Sequence, residues 1–228
     1  MSAETPADRQ PGDRHPPQPP RSAGHRPEGY LSAERCAAFI DAVVAIAMTL
    51  LILPLMEGVS DAGGQGHSAG RWFADHQDQL TSFLVSFVMI ALFWMIHHRL
   101  FRQVTAVPTA LMWLVSAWLL TIVWLPVATS MSGQFSDADG LVRAVYIGSL
   151  FAVCAASFVI RLYVRAHPDI STVPTATVRG DLAVDLSMMI MFAVALGVTL
   201  LFPALGYWPL LLMFLTGVVQ RLLRRAWR

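Results

Sequence analysis

The chain contains no lysine, has only two cysteines, and carries 14% charged residues in 228. Each shortage excludes something. Soluble domains average about 25% charged residues. With 55% hydrophobic residues and a mean hydropathy of +0.54, the composition is that of a membrane protein. The net charge of +1 leaves no electrostatic footprint for nucleic acid. Cys36 and Cys154 fall in apolar runs without metal-ligand or Cys-x-x-Cys spacing, so they read as small packing residues. Nucleophile elbows, zinc motifs and phosphate loops are missing, and the His97-His98 pair has no acids spaced for hydrolysis. The expectation is a non-enzyme with no catalytic residues, no metal site and no cofactor.

Residues 1–30 hold Pro6, Pro11, Pro16, Pro17, Pro19, Pro20 and Pro27 among Arg, Gly, Ser and Asp. Such a segment cannot bury enough apolar surface to offset its ordering entropy, so a disordered tail is expected. It is not a secretory signal, because its first apolar run is a full span.

Residues 31–228 form one domain with six apolar runs: Cys36–Met56, Leu80–Ile96, Val107–Ser130, Leu141–Ile160, Leu182–Pro203 and Tyr207–Val219, the last reaching span length if it extends to Leu223. A spanning helix needs about 17–25 mostly apolar residues, so the fold class is all-α, a polytopic protein with six transmembrane helices. Pro54 and Pro203 sit near span ends, and Pro126 lies late in span three, where a kink can form. Fourteen of the sixteen arginines flank alternate ends of the runs; only Arg71 and Arg143 lie opposite, among Glu57, Asp61, Asp75, Asp78, Asp137 and Asp139. The positive-inside rule then places both termini in the cytoplasm. Trp72, Tyr207 and Trp208 fit the outer interface and Trp227 the inner one.

The first span carries Asp41. A carboxylate in a membrane helix costs about 2.5–3.5 kcal/mol on insertion scales and by default marks a functional site. Span two ends at Trp94-Met-Ile-His97-His98-Arg99-Leu-Phe101, at about the depth of Arg35 and Asp41. Arg35, Arg99 or a protonated histidine could partner the carboxylate. Adjacent histidines are 100° apart on a helix, so His97 and His98 cannot share one metal. The leading reading is a polar clamp of Arg35, Asp41, His97, His98 and Arg99 joining spans one and two, with a proton-sensing histidine as a further role. Ile46, Thr49 and Leu53 share one face of span one, where apolar stripes usually mean helix packing. Asp181 and Asp185 read as dipole partners at a helix start. Arg161 and Arg165 read as snorkelling to headgroups.

Arg35-x-x-x-Phe39-x-Asp41, followed by Ala45-Ile46 and Thr49-Leu50-Leu51, resembles the Arg-x-x-x-Phe-Ser-Asp signature of the TMEM175-type potassium channels. The run Trp94-x-x-His97-His98-Arg99-x-Phe101 is similar to that family's second motif. The resemblance implies a potassium-selective channel in the plasma membrane, with potassium ions and the bilayer as partners and a homotetramer whose first helices surround the axis. It further implies Ile46 as the narrowest apolar ring, Leu53 as a second, Thr49 as a hydroxyl ring between them, and Ala45 as a further pore-lining residue. An apolar ring can close by dewetting, and hydroxyls can replace part of an ion's hydration shell. No Thr-Val-Gly-Tyr-Gly filter loop occurs. The family's Ser before the Asp is Ile40 here, and its Gly after it is Ala42. The rival reading is a proton-coupled secondary transporter using Asp41 and His97 or His98. Against it, there is no evident inverted repeat and no pair of Gly/Pro-broken spans.

Overall fold

A computed structural model describes residues 31–64, 68–135, 139–172 and 175–202. The tail 1–30, the expected sixth span at Tyr207–Val219, and the anchors Tyr207, Trp208 and Trp227 lie outside the described residues. Arg179 and Asp181 are described only as positions on a helix.

Ser32 starts the first helix by accepting the Arg35 N–H at 3.4 Å, which satisfies one of the orphan donors of a helix start. Helix α1 then runs Ala33–Leu50, and α2 comes next at Leu53–Gly64. The break at Leu51–Ile52 has a local cause. Pro54 has no N–H for the Leu50 carbonyl and its ring crowds that carbonyl, so the helix loosens just before it; the Ile52 N–H turns instead to the Thr49 carbonyl at 3.3 Å. The chain nevertheless continues as one apolar unit, Ala33–Ala62. The helix is therefore interrupted just before Pro54, while the apolar unit runs past the expected end at Met56 to Ala62. The connection after it holds a short helix α3 at Ala69–Asp75.

Four further long helices complete the described fold: α4 (Gln77–Phe101), α5 (Thr109–Gln134), α6 (Gly140–Ala166) and α7 (Thr175–Leu201). Five described helices, counting α1–α2 as one, are long and apolar enough to cross a membrane. Pro126 is accommodated inside α5, buried against its neighbours. A two-residue strand pair, β1 (Leu31–Ser32) with β2 (Ala106–Val107), ties the start of α1 to the start of α5. The Thr105 N–H donates to the Ile170 carbonyl at 2.8 Å, which draws the α6–α7 link to the same end.

Helix α6 packs between α5 and α7, while α1 lies against α4 and α5. Trp118, Ile90, Leu111, Ile122, Ile147 and Phe192 are fully buried at the centre. Lipid is as apolar as leucine, so close packing and polar contacts, rather than burial alone, hold such helices together. Gly133 permits one close approach, since a Cβ there would lie 3.1 Å from the Gln79 backbone on α4. A hydroxyl chain joins three helices: Ser86 Oγ lies 2.8 Å from Thr129 Oγ1 and 3.0 Å from the Tyr146 hydroxyl.

The buried ion pair is the main departure from expectation. Arg161 does not snorkel; it is buried and donates through Nε to the Asp185 carboxylate on α7. A charge taken out of water must be paired and hydrogen-bonded, and these two residues satisfy each other. Trp72 is buried, stacked on His76 with ring centroids 4.7 Å apart. Cys36 and Cys154 are free and buried, as their apolar settings indicated.

Candidate functional site

Asp41 sits two turns into α1, on the side that meets α4. The indole N–H of Trp94 donates to Asp41 Oδ1 at 2.7 Å, a short, charge-assisted bond. His98 Nδ1 lies 3.7 Å from the same oxygen, too far for a hydrogen bond but near enough to pair when protonated. Trp94 and His98 are one helical turn apart, with ring centroids at 5.4 Å, so both face Asp41. Asp41 and His98 are each about 40% exposed, which keeps the carboxylate partly hydrated.

His97 does not join them. One residue is 100° of helix, and that rotation turns His97 into the bundle. There it is buried and stacked on Trp118 (3.9 Å) and Phe101 (4.7 Å). Its Nε2 has no hydrogen-bond partner among the described residues. Arg35 and Arg99 are exposed at this end of the bundle, and neither forms an ion pair among the described residues. The five-member clamp expected from sequence thus reduces to Asp41 and His98, with Trp94 as the missed third member. The signal for Trp94 was present: an indole one turn before a histidine reaches the same neighbour. Arg161 and Asp185 were missed as a pair because they are 24 residues apart on different helices.

The residues expected to line a path share one feature. Ile46 is 59% exposed and Leu53 48%, while Ala45 and Thr49 are also exposed. Phe39, Ala42, Ile46, Thr49, Leu53 and Met56 form an uncovered stripe with steps of three and four in alternation. That is a heptad seam, the spacing by which one helix packs on copies of itself or neighbours around an axis. The opposite face of α1–α2 buries Cys36, Ile40, Val44, Ala47, Leu51 and Leu55 against the rest of the chain. Thr49 Oγ1 donates to the Ile46 carbonyl at 2.8 Å. Its single hydrogen is thereby used within the helix, and the oxygen's two lone pairs remain acceptors suited to a cation.

A family model described as endosomal/lysosomal potassium channel TMEM175 matches residues 35–126, the segment holding both motifs, the Asp41 cluster and the uncovered stripe. Over that segment the chain matches the TMEM175 family. It is 35% identical over 106 residues to a potassium channel of Streptomyces collinus, covering 46% of this chain and 50% of that one. A potassium channel of a Chryseobacterium strain is 27% identical over 145 residues, with 62% and 70% covered. The endosomal/lysosomal proton channel TMEM175 of Gallus gallus is 32% identical over 143 residues, with 60% and 28% covered. The chain thus spans about half the length of the Streptomyces relative and less than a third of the chicken TMEM175. The matched TMEM175 family and its relatives are channels rather than enzymes.

Proposed function

We propose that this chain forms a potassium-permeable channel in the plasma membrane, with several copies, four by resemblance to the family, placing α1–α2 around a central axis. The observation that carries this reading is the heptad-spaced stripe left uncovered by the chain's own helices. Other helices also leave apolar residues such as Leu84 and Leu120 exposed, where lipid can cover them; the α1–α2 stripe of Phe39, Ile46, Leu53 and Met56 is set apart by its heptad spacing and the hydroxyl that interrupts it. A ring of copies uses all of it. Ile46 and Leu53 then form apolar constrictions that exclude hydrated ions by dewetting, and Thr49 supplies oxygens to an ion shedding water. Ala45 adds room without polarity. The start of α1 then faces the cytoplasm, a reading supported by Arg35, Arg99 and Arg102 at one end of the bundle and Glu57, Asp61, Asp75 and Asp139 at the other; with Tyr207–Val219 as a sixth span, the C-terminus faces it too. Two bacterial relatives are named as potassium channels, which favours potassium.

A second reading has its own support. The vertebrate relatives are named as proton channels, and Asp41 with His98 is a titratable pair beside the stripe. Proton movement through this site, as a channel or coupled to a solute, is therefore the rival. Liposomes loaded with potassium decide between them. Potassium flux above sodium flux, raised or made less selective by Ile46→Asn, is the expected result. Potassium flux equal to empty liposomes, with a proton-driven uptake lost in Asp41→Ala, overturns the channel reading. Chemical crosslinking in mild detergent checks the assembly, where a purely monomeric species would remove the axis.

A further inference from the structure

A cleft of about 490 Å³ opens beside the Asp41 cluster, between the start of α1 and the end of α4. Its walls carry Ser32, Glu34, His98, Phe101, Arg102 and Thr105. Nothing in the permeation reading uses it. Its chemistry is distinctive: one carboxylate and one guanidinium, both on exposed residues, face a common half-open space with two hydroxyl residues and an aromatic floor. The cleft lies at the bundle end where exposed Arg35, Arg99 and Arg165 gather, the end that meets the headgroup layer of a bilayer.

We propose that this cleft binds a zwitterionic phosphate-plus-primary-ammonium group, the headgroup chemistry of phosphatidylethanolamine. Arg102 takes the phosphate, for which a guanidinium fork is well shaped. Glu34 takes the ammonium, and Ser32 and Thr105 add hydroxyl contacts. A purely anionic headgroup would meet Glu34 with repulsion. A choline headgroup has no N–H to donate to Glu34. His98 stands in the cleft wall and beside Asp41 at once, so an occupied cleft also braces the α1–α4 contact. The proposal rests on the chain lying in a bilayer, not on its conducting any ion.

The test is thermal unfolding of the purified full chain in mild detergent, with added dioleoyl phosphatidylethanolamine, phosphatidylcholine or phosphatidylglycerol. The expected result is stabilisation by phosphatidylethanolamine at about fivefold lower lipid concentration than by the other two, the ratio an exposed ion pair supports. Glu34→Gln should erase the preference over phosphatidylglycerol, and Arg102→Gln should weaken phosphatidylethanolamine and phosphatidylglycerol together. Equal response to all three lipids, or a preference that survives in the Glu34→Gln/Arg102→Gln double variant, overturns the proposal. Competition by free phosphoethanolamine assigns the site to the headgroup alone. Lipid retained against it assigns the site to headgroup and acyl chains together. Because the readout is stability, a failed channel assay leaves this result unaffected.

Discussion

The Asp41 cluster and the Arg161–Asp185 pair are made from similar groups and sit near the same end of the bundle, yet they differ sharply in burial. Arg161 and Asp185 have side chains only 7% and 3% exposed, and they bind each other directly. Asp41 and His98 are about 40% exposed, with a single short bond from Trp94 and a histidine held just out of hydrogen-bond range. A buried pair that is fully satisfied resists change, because either charge alone would be stranded in a medium that cannot solvate it. A half-hydrated carboxylate can change partner at low cost. Burial, rather than residue type, separates a clamp from a site that can respond.

That contrast can be broken from the strong end first. Asp185→Ala removes the buried counter-charge of Arg161 and should cost about 3–5 kcal/mol, a large share of the about 5–15 kcal/mol that holds a typical domain together. Thermal unfolding in detergent should show a collapse of the folded population, largely restored in an Arg161→Leu/Asp185→Leu double variant. An unchanged midpoint in the single variant would mean the pair is no clamp. Trp94→Phe sharpens the other side. It deletes the indole N–H that meets Asp41, a charged hydrogen bond reduced by solvent to about 1 kcal/mol. Liposome flux should change clearly while the midpoint moves little; a large midpoint shift with unaltered flux would make Asp41 structural as well. The smallest effect is expected at Arg71, which pairs with Asp75 at 3.6 Å with both side chains more than half exposed. Arg71→Ala should cost under about 0.5 kcal/mol and leave flux unaltered, which serves as the baseline for the other two.

Much of the described architecture was legible because the membrane imposes length and apolarity on each helix. The runs near Leu80, Val107, Leu141 and Leu182 correspond to α4, α5, α6 and α7. The first run extends past Met56 because the chain resumes a helix after Pro54, carrying the apolar unit to Ala62. The strand pair at Leu31–Ser32 was illegible, since two residues carry no periodicity and their partners, Ala106 and Val107, lie far along the chain. Within the candidate site, Asp41 stood out by its cost in an apolar run. The 100° step between neighbours said that His97 and His98 must part, without saying which would face Asp41.

The sequence by itself determined that this chain is a polytopic helical membrane protein, and its two motifs pointed to the family later matched over residues 35–126. Composition, run length and local spacing are properties of neighbours along the chain, and a bilayer reads them directly. Only the tertiary structure decided that Trp94 and His98 meet Asp41, that His97 stacks in the core, that Arg161 finds Asp185, and that one face of α1–α2 stays uncovered. Those outcomes depend on how helices rotate about their own axes when they pack. A rotation of 100° exchanges one neighbour for the next, and the sum of contacts from several helices sets it, not any local signal.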